Sequence, residues 1–398
     1  MAIDSIQFEI DCEKVILFEA IKFASSFISP RATHLVLSCL KLTAKDNVLE
    51  IESTNLDQGC RVRIPCTAIS EGQIVLPGKQ LSTILANLVG DNIRISLTTI
   101  KPQKGKLEID DASLVAVVAS GQQEATLVMQ EPTEYPEIDY HTSNLSVEID
   151  AKLFSAAIQK TVHCTSADIT KIVLCGINIA SKTQGLVFSA TNGHYLATAT
   201  IPGAFAPNLS FTVPGVFLGK IQKLLKDADT IIFSSTNSNS FTTTLTTTLG
   251  KGNIVEISLY SRLLDGTFPD VSRLIPDDFS KKVLFSREQL LQAIALINSC
   301  DNESERTAYT CSFEIQEEQT NITKNGASVL SVCQIINSTL VNGDPITIGF
   351  NYDYLKKHLT ALSSPQVLFK INEAKNPVVI DGDDEQLSST LLIMPVQL

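Results

Sequence analysis

The sequence contains none of the compact motifs that mark a nucleotide, zinc or nucleophile centre: no G-x-x-x-x-G-K-[ST] loop, no G-x-G-x-x-G after a strand, no H-E-x-x-H and no G-x-S-x-G. Cradling a phosphate, chelating an ion or presenting a serine each demands certain residues at fixed offsets, so these classes of catalysis are disfavoured. Histidine is scarce, and His34, His141, His163, His194 and His358 stand far apart, with no pair at metal-ligand spacing. His163 and Cys164 are adjacent, but neighbours on a helix point in different directions, so a helix-end pair without a catalytic role is expected. Asp381-Gly382-Asp383-Asp384-Glu385 falls short of a calcium loop and reads as an acidic turn. No catalytic residue, metal or cofactor is expected.

The nine cysteines are odd in number, contain no C-x-x-C pair and lie mostly in apolar runs, which indicates buried free thiols. No apolar run approaches the roughly 18 residues of a membrane span, and the first residues lack a basic-then-apolar leader. A cytoplasmic protein with no membrane attachment is expected.

What the chain does contain is repetition. Leu209-Ser210-Phe211-Thr212-Val213-Pro214 alternates as a strand, and the period then changes to 3.6, with Phe217, Leu218, Ile221, Leu224 and Leu225 on one helical arc and Lys220, Lys223 and Lys226 opposite. Similar strand-to-helix passages surround Pro77 and Asn351, so that Pro77, Pro214 and Asn351 are spaced by 137 residues. Ala20-Ile21, Ala157-Ile158 and Ala293-Ile294 mark a second recurring helix, each after a strand-like run: Ile6–Ile10, Leu145–Ile149 and Val283–Phe285. The chain is three copies of one unit, each of ordinary domain size. The expected domains are residues 1–135, 144–270 and 280–398, with Pro- and acid-rich connectors near 131–143 and 265–280.

The net charge of −12 argues against a polyanionic partner until its distribution is considered. The six expected helices (13–27, 79–89, 151–163, 214–226, 286–300 and 352–363) hold eleven Lys/Arg against four Asp/Glu, leaving −19 for the remainder. Such segregation suits one surface that meets phosphate while the rest stays soluble. Asp11 is expected to cap the first helix. Leu35–Leu42 and Lys171–Gly176 read as strands, Asn192-Gly193 as a hairpin turn, Asp301–Arg306 as a polar loop, and the Ser/Thr-rich run from Ser235 to Thr248 as edge strands or a loose hairpin. The apolar final segment, Leu391-Leu392-Ile393-Met394-Pro395-Val396, either docks on its own domain or lines a partner site.

Four passages, Ala190–Ala197 (A-T-N-G-H-Y-L-A), Arg262–Asp270 (R-L-L-D-G-T-F-P-D), Phe350–Leu355 (F-N-Y-D-Y-L) and Ile393–Leu398 (I-M-P-V-Q-L), in this order and spacing, resemble the bacterial DNA polymerase III beta subunit, the sliding clamp, over essentially the whole chain. The resemblance implies an α+β fold of three clamp domains, each two helices backed by antiparallel sheets. It also implies a head-to-tail homodimeric ring through which double-stranded DNA passes without regard to sequence. Arg31, Lys152, Lys160, Lys220, Lys223 and Lys226 would then face DNA. A peptide pocket is implied as well, used by the polymerase III alpha subunit and the clamp loader. Its residues would be Leu174, then Thr191, Gly193, His194 and Leu196, and Pro269, Arg273 and Leu274 after the connector. Asn351, Tyr354, Ile393, Met394 and Pro395 would complete it. The family commonly has Arg where this chain has Tyr195 and Gln397. The rival readings are a β-rich nucleic-acid-binding protein that forms no ring, and an enzyme with an inter-domain site.

Overall fold

The computed structural model describes residues 7–29, 34–100, 113–140, 146–206, 209–225, 228–236, 239–250, 252–299, 309–324, 331–382 and 387–398. The first repeat runs β1 (Glu9–Glu13), α1 (Lys14–Ala24), β2 (Cys39–Lys45), β3 (Val48–Thr54), β4 (Gln58–Pro65), β5 (Thr67–Ser70), β6 (Gly72–Pro77), α2 (Gly78–Asn87), β7 (Asn92–Ile100), β8 (Ser113–Ser120) and β9 (Gln123–Val128). The second runs β10 (Ser146–Asp150), α3 (Ala151–Thr161), β11 (Gly176–Lys182), β12 (Gly185–Thr191), β13 (Tyr195–Pro202), β14 (Ser210–Pro214), α4 (Gly215–Gln222), β15 (Thr230–Thr236), β16 (Ser240–Leu249) and β17 (Asn253–Arg262). The third runs β18 (Lys281–Ser286), α5 (Arg287–Ser299), β19 (Thr310–Ile315), β20 (Gln319–Lys324), β21 (Val332–Asn342), β22 (Ile346–Asn351), α6 (Tyr352–Ala361), β23 (Gln366–Ile371), β24 (Val378–Gly382) and β25 (Ser388–Ile393).

The landmarks of the repeat fall on equivalent places. Pro77, Pro214 and Asn351 are the residues immediately before α2, α4 and α6, all in extended backbone. Proline there has a fixed φ and needs no helical hydrogen-bond donor. Asn351 caps by another route, its Oδ1 accepting from the backbone N–H groups of Asp353 and Tyr354 at 3.0 and 3.1 Å. The pairs Ala20-Ile21, Ala157-Ile158 and Ala293-Ile294 are all buried, on the inward faces of α1, α3 and α5.

The chain packs as two compact units, one of Met1–Lys152 with Leu224–Leu263, the other of Leu153–Lys223 with Leu264–Leu398. In the first, β10-β15-β16-β17-β4-β3-β2-β6 form an eight-stranded sheet and β5-β1-β7-β8-β9 a five-stranded one, with α1 packed on α2. In the second, twelve strands follow the order β14-β11-β12-β13-β25-β24-β23-β18-β21-β20-β19-β22, with α5 packed on α6. The strands of the second repeat are therefore shared: β17 pairs antiparallel with β4 (Leu259 opposite Cys60), and β13 with β25 (Tyr195 opposite Ile393).

Several local expectations are corrected. Asp11 lies in β1, and α1 starts at Lys14 without a side-chain cap. Leu35–Ser38 and Ile169–Cys175 are 3₁₀ segments ahead of β2 and β11; in the second, Asp168 accepts from the Thr170 N–H at 3.0 Å and turns the backbone before the strand can start. The Ser/Thr run forms the consecutive antiparallel strands β15 and β16, in keeping with the hairpin reading, but both are interior strands, so the edge reading is corrected. Its hydroxyls satisfy one another and the backbone: Ser234 Oγ and Thr242 Oγ1 lie 2.9 Å apart, and Thr243 Oγ1 donates to the Ile232 carbonyl at 2.9 Å. Asp301–Arg306 and Ile6 lie outside the described residues. Free thiols are found at every described cysteine, with Cys333 exposed. Among the described residues no helix is long and apolar enough to cross a membrane.

Candidate functional site: a groove on the second unit and the lysines of the helices

The turn between β12 and β13 is built by its own side chains. Asn192 Oδ1 accepts from the N–H groups of His194 and Tyr195 at 3.0 and 3.2 Å, while Thr191 Oγ1 accepts from the Gly193 N–H at 3.1 Å and donates to the Tyr195 carbonyl at 2.9 Å. Gly193 has φ +91°, a left-handed conformation that a side chain would strain. The turn leaves His194 exposed beside the last segment of the chain, where the Met394 N–H donates to the His194 carbonyl at 2.9 Å.

That segment is held at a second point. The Val396 N–H donates to the Gly349 carbonyl at 2.9 Å, and a Cβ on Gly349 would lie 2.4 Å from the Val396 carbonyl oxygen. Only glycine permits so close an approach. The Asn351 cap fixes the first turn of α6, and Tyr354 stacks on His194 with ring centroids 6.0 Å apart and lies against Tyr195 at 4.5 Å. Lys357 lies 5.8 Å from the Tyr354 ring and is paired with Asp353 at 2.7 Å.

Of the predicted pocket residues, the structure thus brings together Thr191, Gly193, His194, Asn351, Tyr354, Ile393 and Met394. Their roles differ. Ile393 is fully buried and Leu196 is 1% exposed, the latter clustered with Val271, Val379 and Leu392, so both support the floor and offer no open surface. Met394 is 39% exposed and Pro395 half-buried. Leu174 is half-buried, while Pro269 and Arg273 are exposed and Leu274 is 55% exposed. Among the described residues these four share no hydrogen bond, ion pair or ring contact with the His194–Tyr354 group. Asp270 caps the turn Val271–Leu274 through the Ser272 N–H at 3.3 Å and holds Arg273 at 3.1 Å. The Ser272 hydrogen bonds keep the Asp270 carboxyl below its ordinary pKa.

Sequence reasoning missed the aromatic support beneath. Tyr195 donates its hydroxyl to the His163 carbonyl at 2.7 Å and lies against His358 at 5.2 Å. Burial raises its phenol pKa well above the ordinary range. His163 and His358, 195 residues apart, bring Nε2 and Nδ1 within 2.9 Å. Burial lowers their pKa values to about 4 and about 3. Their distance in sequence said nothing about their distance in space.

Among the predicted DNA-facing residues, Lys152 and Lys223 are exposed and Lys220 half-buried. Lys160 is 4% exposed, because its position on α3 turns inward with Ala157, and it is not a surface cation. Arg31 and Lys226 lie outside the described residues. Lys22 on α1, Lys79 on α2 and Lys356 on α6 are exposed helix lysines that sequence reasoning did not single out. The strands treat their cations differently: Lys41 pairs with Glu52 at 3.3 Å, Arg63 with Glu256 at 2.7 Å and Arg94 with Asp11 at 3.5 Å. These strand cations are thus paired with carboxylates, while each helix pair carries exposed lysines.

Two helices per repeat on antiparallel sheets and three repeats joined by strand pairing define the DNA-clamp class of fold. The sequence matches the DNA polymerase III beta subunit N-terminal domain over residues 7–139, its central domain over 148–270 and its C-terminal domain over 272–397. The beta sliding clamp of Synechococcus elongatus is 26% identical over 97% of this chain and 98% of its own. The sliding clamp of Bacillus subtilis superposes with a TM-score of 0.84 at 22% identity, and that of Pseudomonas aeruginosa, solved with griselimycin bound, with 0.83 at 21%; each covers 98% of this chain and 100% of the other. The chain belongs to the DNA polymerase III beta subunit family, whose members are non-catalytic DNA sliding clamps and processivity factors.

Proposed function

We propose that two copies of this chain close head to tail around duplex DNA, and that the groove at His194, Tyr354 and Met394 holds short peptides of the polymerase alpha subunit and the clamp loader. The strand-pairing rule carries the ring. The last strand of the second repeat, β17, pairs with β4, the third strand after α1, and the last strand of the third, β25, pairs with β13, the third strand-forming segment after α3. By the same rule β9, the last strand of the first repeat, belongs on β21 of another copy. In this chain β9 is a sheet edge next to β8 alone. β21 lies between β18 and β20, but its Val332–Asn337 half pairs with β20 alone and leaves its other side for a further strand; Val128 on β9 and Ile335 on β21 are 54% and 56% exposed, apolar groups that such pairing buries.

In this reading the domains are residues 1–135, 144–270 and 280–398, and Lys22, Lys79, Lys152, Lys220, Lys223 and Lys356 meet phosphate, giving retention independent of base sequence. Residues Leu174, Pro269, Arg273, Leu274 and Pro395 extend the groove along the peptide. The place of action is the cytoplasm, where the replicated DNA is. The deciding experiment measures size and retention together. A particle of twice the chain mass that stays on circular DNA and slides off linear DNA supports the ring, whereas a monomer that binds both equally refutes it.

A further inference from the structure

Beneath the groove, in the second unit, two histidines and a cysteine meet. Cys164 and His163 lie in the 3₁₀ turn Val162–Cys164 that follows α3, and His358 lies in the last turns of α6. His358 and Cys164 are fully buried, and His163 is half-buried. One ligand atom from each of the three lies within 4.8 Å of the others.

The hydrogen bonds define where lone pairs point. His358 Nε2 is 3.1 Å from the Leu392 carbonyl, which can only accept, so Nε2 carries the hydrogen and Nδ1 is a lone pair. That lone pair faces His163 Nε2 at 2.9 Å. With no ion present His163 Nε2 must donate to it, which strips the hydrogen from His163 Nδ1. This nitrogen is buried and makes no hydrogen bond of ordinary geometry, and without its hydrogen it cannot donate to the Gln159 backbone that the His163 ring meets. The cluster is therefore one hydrogen short of satisfying its nitrogens, a cost that a buried polar atom ordinarily avoids.

We propose that His163, Cys164 and His358 form a zinc-binding site. Two imidazoles and a thiolate with no carboxylate suit a borderline-soft ion such as Zn²⁺ and not Ca²⁺ or Mg²⁺. The His358 N–H on a backbone carbonyl is the outer hydrogen bond that metal-bound histidines make. On binding, the hydrogen of His163 moves from Nε2 to Nδ1, both facing lone pairs turn to the ion, and the Cys164 thiol loses one proton to solvent as its sulfur bonds zinc. The fourth position is left for water. The nearby Lys357 ammonium is paired with Asp353 at 2.7 Å, which tempers its repulsion of the ion. An ion held here fastens α6 to the end of α3.

The test uses the full chain, stripped with a chelator and then titrated with Zn²⁺ or Co²⁺. Native mass spectrometry should count one zinc per chain, Tm should rise with zinc, and Co²⁺ should develop the intense visible bands of a tetrahedral site with a thiolate charge-transfer band. Cys164→Ala should abolish the charge-transfer band, and His163→Gln should weaken zinc at least about ten-fold. Cys333→Ala, which removes an exposed thiol, should change nothing. Circular dichroism checks that each variant folds, and if neither does, the wild-type stoichiometry and cobalt spectrum decide. No stoichiometric zinc, a cobalt spectrum without thiolate character, or equal zinc retention in folded Cys164→Ala and His163→Gln would overturn the proposal.

Discussion

Removing Met394–Leu398 separates a groove from a core. The segment is tied down by two backbone hydrogen bonds, Met394 to His194 and Val396 to Gly349, together about 2 kcal/mol. The half-buried Pro395 and Val396, with the buried part of Met394, contribute about 3 kcal/mol more. Ordering five residues opposes this at roughly 1 kcal/mol each or more. The terms nearly cancel, so the deletion should move Tm by no more than a few degrees and leave the dimer intact. Ile393, one residue earlier, is different: it is fully buried between Tyr195 and Val378 in the sheet, and Ile393→Ala should cost about 2–5 kcal/mol. A labelled peptide carrying Gln and a hydrophobic end, followed by fluorescence anisotropy, should lose at least about ten-fold in affinity for the truncated protein, about 1.4 kcal/mol. Gly349→Ala should reproduce that loss without deleting anything, because its Cβ would press on the Val396 carbonyl at 2.4 Å and lift the segment. Unchanged peptide affinity in both variants, or a truncation that melts as early as Ile393→Ala, would show that the segment is part of the core and that the peptide site lies elsewhere.

Reversing Lys220 and Lys223 to Glu should reduce retention on circular DNA with Tm nearly unchanged, and the log–log salt slope should fall by about 0.9 for each phosphate that is no longer neutralised; retention and slope equal to wild type would contradict a phosphate role. Ile335→Lys puts a charge on the Val332–Asn337 half of β21, which pairs with β20 alone, and should give monomers by light scattering at concentrations where the wild type is dimeric; a persistent dimer would exclude that half-strand as the interface. Burial raises the thiol pKa of Cys12 to about 12 from 9.0. Below pH 9 both folded and unfolded chains keep the proton, and above it only the unfolded chain loses it, so stability falls by about 1.4 kcal/mol per pH unit for that thiol as pH rises toward 12. Denaturation between pH 8 and pH 10.5 should therefore show a shallower alkaline loss for Cys12→Ala, and an identical slope would refute the assignment.

Much of the architecture was legible because it is written in periods. Alternation into Pro214 followed by Phe217, Leu218 and Ile221 at helical spacing is a local property, and α4 buries all three of those residues. Edges are not local. Whether the threonines of β16 stand at the rim or inside a sheet depends on β17, and whether β17 is itself an edge depends on β4 from the first repeat. Polarity made that run look peripheral; hydroxyls that pair across strands made it interior. Lys160 shows the same limit on a helix, since charge marked it as a surface residue while its place on the buried face of α3 put it inside.

The groove divides along the same line. Asn192-Gly193 and the Asn351 cap are short-range devices, and both form as their residue types dictate. The support under them is assembled from three distant elements: Tyr195 on β13, His163 after α3 and His358 on α6. No spacing rule could join residues 163 and 358, because rules of spacing describe one helix or one loop, and this pairing is made by α6 packing against the turn after α3. Where the family commonly places Arg, Tyr195 fits this environment for a physical reason. A guanidinium there would sit beside two buried imidazoles whose pKa values are already depressed, whereas the phenol packs on Tyr354 and donates its one hydrogen to the His163 carbonyl. The residue that departs from the family's pattern is thus the one that connects the open groove to the buried histidines, and the two should be studied as one unit.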